Sequence, residues 1–139
     1  MEEILQKYPL LKDQNIPRET FIDFESFISM LQKINEEINI ISKETSKNEI
    51  IRERHIIDSA QIIEFINLNS NIITDIGSGG GMPGIIISIM LKNLKKSPKI
   101  YLYEKSHHKS AFLRKVSRDL KLNTEVIQQN IFEAENLES

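Results

Sequence analysis

Apolar residues recur every three or four positions through the first third of the chain and then give way to short unbroken runs. Phe21, Phe24, Ile28, Leu31, Ile34 (or Asn35) and Ile38 define one face of an amphipathic helix. It is entered at Ile16-Pro17, where the missing N–H of proline costs nothing, and is expected to end near Asn39. Residues 40–45 read as a connection. Ser46-Lys47-Asn48-Glu49 has capping-box spacing and predicts a second helix through Ile50, Ile51 and Arg54 toward His55. Asp58, with Gln61 three residues on, predicts a cap for a third helix from Ser59 to Ile66. Polar residues 67–71 then predict a loop.

From Ile72 the period changes. Ile72-Ile73-Thr74-Asp75-Ile76 is a β-branched run of the kind found in buried parallel strands. A glycine-rich stretch follows, then an apolar helix from Ile85 to Leu94. Lys99 to Glu104 predicts a second strand. Ser106 predicts the cap of a helix reaching Leu120, with Ala111, Phe112, Val116 and Leu120 on one face. After a turn at Asn123-Thr124, Glu125 to Gln129 predicts a third strand. The expected class is α/β: a helical segment over 1–70 followed by βαβαβ over 71–139, within one domain of 139 residues.

Composition narrows the options. The chain is 40% hydrophobic and 27% charged, which is globular rather than disordered. It has no cysteine, which excludes disulfides and thiolate zinc sites, and no metal site is expected. No apolar run approaches the roughly 18 residues of a membrane span. The start, MEEILQKYPL, is acidic and lacks the apolar core of a secretory signal, so the expected location is cytoplasmic. Isoleucine (25), lysine (13) and asparagine (11) are abundant enough that a single Lys or Asn carries little information.

The net charge of −2 conceals an asymmetry. Residues 1–70 hold 8 basic and 13 acidic side chains, and residues 71–139 hold 10 and 7. All ten of those basic residues fall between Lys92 and Lys121, with only Glu104 and Asp119 against them. The stretch reads as a footprint for a polyanion or as a solvated lysine-rich face.

The chemistry centres on Gly77-Ser78-Gly79-Gly80-Gly81-Met82-Pro83-Gly84, which holds all five glycines. Placed between a strand and a helix, such a loop lets backbone N–H groups approach an anion. Gly79 to Gly84 fits G-x-G-x-x-G, the dinucleotide fingerprint, while the Gly-Lys-Ser/Thr of a phosphate-binding P-loop is absent. Asp75 argues against a nicotinamide dinucleotide, because a carboxylate beside the loop repels a pyrophosphate. It favours S-adenosylmethionine, whose sulfonium and ammonium are cationic and whose carboxylate the loop amides can receive. Asp75-x-Gly77-x-Gly79-x-Gly81 is the glycine pattern of Rossmann-like methyltransferases. Glu104, closing the second strand, stands where an acid accepts both ribose hydroxyls in such folds, or is an ordinary strand-end acid. Asn130, Ile131 and Phe132 stand where an adenine edge is expected.

These residues resemble the bacterial 16S rRNA guanine-N7 methyltransferase G family, also called glucose-inhibited division protein B. The resemblance rests on NEEINIIS at residues 35–42, on Arg54-His55-Ile56-Ile57-Asp58-Ser59 as its R-H-x-x-D-S signature, on DIGSGGGMPG at residues 75–84, and on EKSHHKSAFL at residues 104–113. It implies a class I fold with S-adenosylmethionine held by Asp75, Gly77, Ser78, Gly79, Gly81, Pro83, Gly84, Glu104, Asn130 and Ile131. The methyl group would pass to N7 of a guanine in 16S rRNA, free or within the small ribosomal subunit. Neither DNA nor a membrane is expected as a partner, and the sequence leaves the oligomeric state open. N7 has a lone pair and no proton to lose, so alignment suffices and no general base is needed. Arg54 and His55 are the candidates for the reacting side, though Asp58 also reads as a cap and His55 as a packed side chain. Lys105, Lys109, Arg114, Lys115 and Arg118 are the candidates for RNA contact.

The resemblance also implies a seven-stranded sheet, of which this chain supplies the first half. The expectations are therefore a C-terminally shortened member, weak or absent cofactor affinity, and no turnover without the later half. The alternative is a non-catalytic remnant or a module that binds RNA or a partner.

Overall fold

The computed structural model describes residues 6–11, 16–38, 40–41, 44–62, 72–76, 83–92 and 98–129. After a 3₁₀ turn at Pro9–Leu11, helix α1 spans Arg18–Asn35. A helical run, α2, follows in three segments: an α turn at Asn48–Ile50, a π-helical stretch at Ile51–Ile57 and an α turn at Asp58–Gln61. Then come β1 (Ile72–Ile76), α3 (Gly84–Leu91), β2 (Lys99–Tyr103), α4 (His107–Asp119) and β3 (Thr124–Ile127). The strands form a parallel sheet in the order β1-β2-β3, with Asp75 opposite Leu102 and Leu102 opposite Val126. This is the α/β order expected, consistent with the first half of a Rossmann-like methyltransferase fold.

Helix α1 buries Phe21, Phe24, Ile28 and Leu31 as its spacing predicts, and Phe27 and Thr20 as well. It stops at Asn35, four residues before the expected end. The Asn35 amide oxygen accepts the N–H groups of both Ile40 (2.8 Å) and Ile41 (2.9 Å), which turns the chain back. Ile38 keeps the apolar rhythm but packs on the core from the turn.

The predicted break between a second and a third helix does not occur. The helical run begins at Asn48 with Lys47 as its N-cap residue, one position later than the Ser46 box predicts. Asp58 lies inside the run with helical backbone angles (φ −62°, ψ −43°) and caps nothing at a helix start. The predicted break rests on the Asp58–Gln61 capping spacing, which here lies inside a continuous run that includes a π-helical stretch. Its i→i+5 hydrogen bonds align residues five apart, and Ile51 and Ile56, both fully buried, are spaced by five. The Ile63 to Ile66 part of the predicted third helix lies outside the described residues.

Helix α3 is buried almost all round: Ile85, Ile86, Ile87, Ser88, Ile89 and Leu91 are all covered. It packs on β2 from one side and on α1 and the Asp58–Gln61 turn from the other. One buried cluster therefore includes Phe24 and Leu31 of the helices with Ile100 and Leu102 of the sheet. The rings of Phe27 and Phe112, 6.4 Å apart, carry it from α1 to α4. On α4 the buried positions are Ser110, Phe112, Leu113 and Val116; Ala111, expected among them, is exposed, and Leu113 takes its place. Strand β3 starts one residue earlier than predicted and pairs through Ile127. Among the described residues β1 pairs only with β2, and Ile72 at its start is 58% exposed.

Candidate functional site

The carboxyl ends of β1 and β2 bring together the two acids singled out in the sequence. Asp75 is the fourth residue of β1, and Glu104 directly follows β2, whose last residue, Tyr103, lies opposite Ile76. This is where ligands bind in open parallel sheets.

Asp75 turns its carboxylate onto the start of α3: Oδ2 accepts the N–H of Gly84 at 3.2 Å. That N–H is among the first of a helix and has no partner within it, and a carboxylate there also faces the positive end of the helix dipole. Pro83 precedes it, and its carbonyl accepts the Ile87 N–H at 2.9 Å. Strand and helix meet so closely at this point that a Cβ added to Gly84 would lie 2.5 Å from both Asp75 Oδ2 and Leu102 Cδ2. Gly84 thus does what the third glycine of G-x-G-x-x-G does, permitting close strand–helix packing. Gly77, Ser78, Gly79 and Gly81, expected between these residues, lie outside the described residues, as do Asn130 and Ile131.

Glu104 is only 7% exposed, and its whole peptide unit is held. Its N–H donates to Ile127 O (3.0 Å) and its carbonyl accepts from Gln129 N (3.1 Å), which prolongs the β2–β3 ladder past both strands. The same carbonyl accepts the Ser110 hydroxyl at 3.0 Å. Oε1 of the carboxylate accepts Ser106 N–H at 3.0 Å. Ser106 caps α4 as predicted, with its Oγ accepting Lys109 N–H at 3.3 Å. Among these, sequence reasoning missed Ser110. The available signal was a serine placed four residues after a capping serine, on the face that carries Phe112 and Leu113 into the core.

Arg54 and His55 both lie on the π-helical stretch, Arg54 exposed and His55 half-buried. Runs of π-helix are rare and frequent at functional sites. Their neighbour Arg52 anchors the stretch to α1 with a two-pronged contact on Glu25, Nε to Oε1 at 2.9 Å and Nη2 to Oε2 at 2.8 Å. The Tyr8 hydroxyl donates to the same Oε1 at 3.1 Å. Burial pushes the Glu25 carboxyl up, but the Arg52 fork and charge, with the Tyr8 hydrogen bond, outweigh it and hold the group below its ordinary value. Burial, reinforced by the Glu25 charge and hydrogen bond, raises the Tyr8 phenol far above its ordinary range.

The basic stretch is less uniform in space than in sequence. Lys92 pairs with Asp23 of α1 at 2.9 Å and Lys99 with Glu125 of β3 at 3.4 Å, both acids lying outside the window that suggested a surplus. Arg118 pairs with its neighbour Asp119 at 3.5 Å. Lys105, Arg114, Lys115 and Arg118 are exposed and Lys109 is half-buried, and apart from Lys105 all lie on α4. Arg114 also donates to Val126 O at 3.4 Å. His107 and His108 open that helix, exposed, with ring centroids 5.7 Å apart. Among the described residues no cluster of His, Cys, Asp or Glu could hold a metal ion, and no helix is long and apolar enough to cross a membrane.

This geometry coincides with a clear pattern of similarity. The family model described as rRNA small subunit methyltransferase G (GidB) matches residues 21–139. A protein of Pelagibacter ubique (strain HTCC1062) described as ribosomal RNA small subunit methyltransferase G is 79% identical over 139 residues, which is 100% of this chain and 65% of the relative. Proteins of the same description from Orientia tsutsugamushi (strain Ikeda) and Cereibacter sphaeroides (strain ATCC 17029) are 37% identical over 118 residues and 32% identical over 122 residues. Those matches cover 84% and 88% of this chain, and 56% and 58% of the relatives. The chain thus spans less than two thirds of the length of the relatives it matches, and by both the family model and these identities it belongs to the rRNA small subunit methyltransferase G family.

Proposed function

We propose that this chain carries the cofactor side of a cytoplasmic enzyme that methylates N7 of a guanine in 16S rRNA, with the rRNA or the small ribosomal subunit as its partner. The observation that carries this reading is the pair of carboxylates at the carboxyl ends of adjacent parallel strands, Asp75 fixed on Gly84 N–H and Glu104 fixed on Ser106 N–H. Their setting fits S-adenosylmethionine: an acid and a glycine loop on β1 for the cationic methionyl end, and an acid on β2 for the ribose hydroxyls. When bound, that cofactor supplies the methyl group.

In this reading Gly77, Ser78, Gly79, Gly81, Pro83 and Gly84 shape the methionyl pocket. Glu104 accepts the ribose diol, and Asn130 and Ile131 border the adenine. The guanine N7 attacks with its own lone pair, so what the protein supplies is alignment and exclusion of water. Arg54 and His55 flank the reacting side, and the π-helical stretch that carries them is fixed by Arg52 on Glu25. Lys105, Lys109, Arg114, Lys115 and Arg118 meet RNA phosphates, which contribute affinity without sequence preference.

The test is a titration of the isotopically labelled chain with S-adenosylhomocysteine, followed by NMR. The expected result is weak binding that shifts the amides of Asp75, Gly84, Glu104 and Ser106; shifts confined to other regions would overturn the assignment. A second assay supplies labelled S-adenosylmethionine and small subunits from a strain lacking the modification. Methyl transfer assigns the reaction to this chain, whereas RNA binding without transfer favours a binding module. Charge reversal at Lys105, Lys109 and Arg118 together should weaken RNA binding and flatten its salt dependence by a slope of about 2 to 3.

A further inference from the structure

Ser110 is fully buried and sits on the core-facing side of α4, where its neighbours Phe112 and Leu113 are apolar. Alanine would suit that position better, since serine is the poorer helix former and a buried hydroxyl is costly without a partner. A serine within a helix commonly bonds the carbonyl one turn back. This one instead reaches out of its helix to Glu104 O, six residues earlier, at 3.0 Å. That carbonyl already accepts Gln129 N–H, so both of its lone pairs are used.

Glu104 is therefore fixed at three places: the end of β3 and the residues just past it through Ile127 and Gln129, the cap of α4 through Ser106, and the body of α4 through Ser110. Of these contacts, the ladder bonds and the Ser106 amide are backbone groups that any sequence would supply. Only the Ser110 contact depends on a side chain chosen at that position.

We propose that Ser110 is a positioning residue for Glu104, setting the angle at which the strand end presents its carboxylate to a vicinal diol. This rests on the reading of Glu104 as the acid that receives the ribose hydroxyls. Ser110 itself touches no ligand; it acts by holding the Glu104 peptide against α4. The consequence is selective: its loss should blunt recognition of the diol more than recognition of the rest of the nucleoside.

The experiment compares adenosine with 2′,3′-dideoxyadenosine on the full chain, following the amides of Glu104 and Ser106 by NMR. The wild-type chain is expected to bind adenosine at least about fivefold more tightly, the worth of one net hydrogen bond. In Ser110→Ala that ratio should fall toward one, and Ser110→Thr, which keeps the hydroxyl, should restore it. Ser110→Cys, close in size and a weak donor, carries the same expectation as Ser110→Ala if the alanine variant folds poorly. Hydrogen exchange gives a readout without ligand: the Gln129 and Glu104 amides should lose about tenfold protection in Ser110→Ala while Ile100 and Leu102 keep theirs. Discrimination retained in both Ser110→Ala and Ser110→Cys overturns the positioning role and leaves the Glu104 reading intact. A wild-type chain that binds both nucleosides equally, or neither, overturns the Glu104 reading and this inference with it.

Discussion

The polar cluster that ties the helical layer together and the polar contacts at the strand ends of the sheet layer are built differently. In the helical cluster side chains bind side chains: Tyr8, Glu25 and Arg52 join the N-terminal segment, α1 and α2 around one carboxylate. The apolar filling there is aromatic, with the rings of Tyr8, Phe21 and Phe24 between 5.2 and 6.1 Å apart. At the strand ends side chains bind backbone: Asp75 takes Gly84 N–H, Glu104 takes Ser106 N–H, and Ser110 gives to Glu104 O. The filling of the sheet layer is aliphatic, from Ile85 through Leu102. The first arrangement fixes elements to one another. The second fixes the exact course of the chain at strand ends, where sub-ångström placement matters to a ligand.

The comparison can be broken most directly where the two layers meet. Phe27→Ala removes the ring that faces Phe112 and should cost roughly 3–5 kcal/mol. Because the core is shared, circular dichroism and tyrosine fluorescence should still report one transition in urea. Two separate transitions would show that the layers fold independently. Gly84→Ala should cost up to about 3 kcal/mol, since the new methyl meets Asp75 and Leu102 at once. Its chemical-shift changes should cluster at β1, α3 and β2 and spare the Tyr8–Glu25–Arg52 group.

Glu25→Gln attacks the helical layer instead and should cost about 1.5–2 kcal/mol at neutral pH, the loss of a charge-assisted contact. It should also change the pH profile. The Glu25 carboxyl is held low in the folded chain, so its contribution is present above the ordinary carboxylate value of about 4.3 and fades as pH falls through its lower folded value. Urea midpoints between pH 5 and pH 2 should therefore fall less steeply in the variant. Tyr8, whose phenol is raised, has the opposite sign: the folded chain loses stability above about pH 10, where only the unfolded phenol ionises. Tyr8→Phe should flatten that alkaline limb. Ser106→Ala, which removes the α4 cap, should be the mildest of the set at about 1 kcal/mol, read by thermal melting.

The sheet layer was also the more legible of the two in the sequence. Short β-branched runs, a glycine loop and Ser106 located β1, β2, the start of α3 and the cap of α4 to within a residue, because each signal is local; the expected end of α3 at Leu94 lies outside the described residues. The helical layer was misread where a local start signal falls inside a longer helical run. Asp58 and Gln61 have the spacing of a helix start, yet Asp58 lies inside a continuous run that includes the π-helical stretch carrying Ile51 and Ile56. The same limit governs charge. Lys92 and Lys99 counted toward a basic surplus, yet their partners Asp23 and Glu125 lie outside the counted stretch, Asp23 by more than sixty positions. Of the site, Asp75, Glu104 and Gly84 were recognisable by position in a motif. Ser110 was not, because its partner is a backbone carbonyl and the one local signal, a serine four residues after the capping serine, does not name that partner.

Gly84 changes what the glycine signature can testify to. A motif search scores each of its glycines as evidence that a ligand is held. At this one, a side chain is refused by Asp75 and Leu102, both parts of the protein itself. A descendant that had lost all contact with a cofactor would still have to move both side chains on replacing it. Gly84 is therefore a witness to architecture as well as to a ligand, and its presence in the signature does not by itself count toward a cofactor.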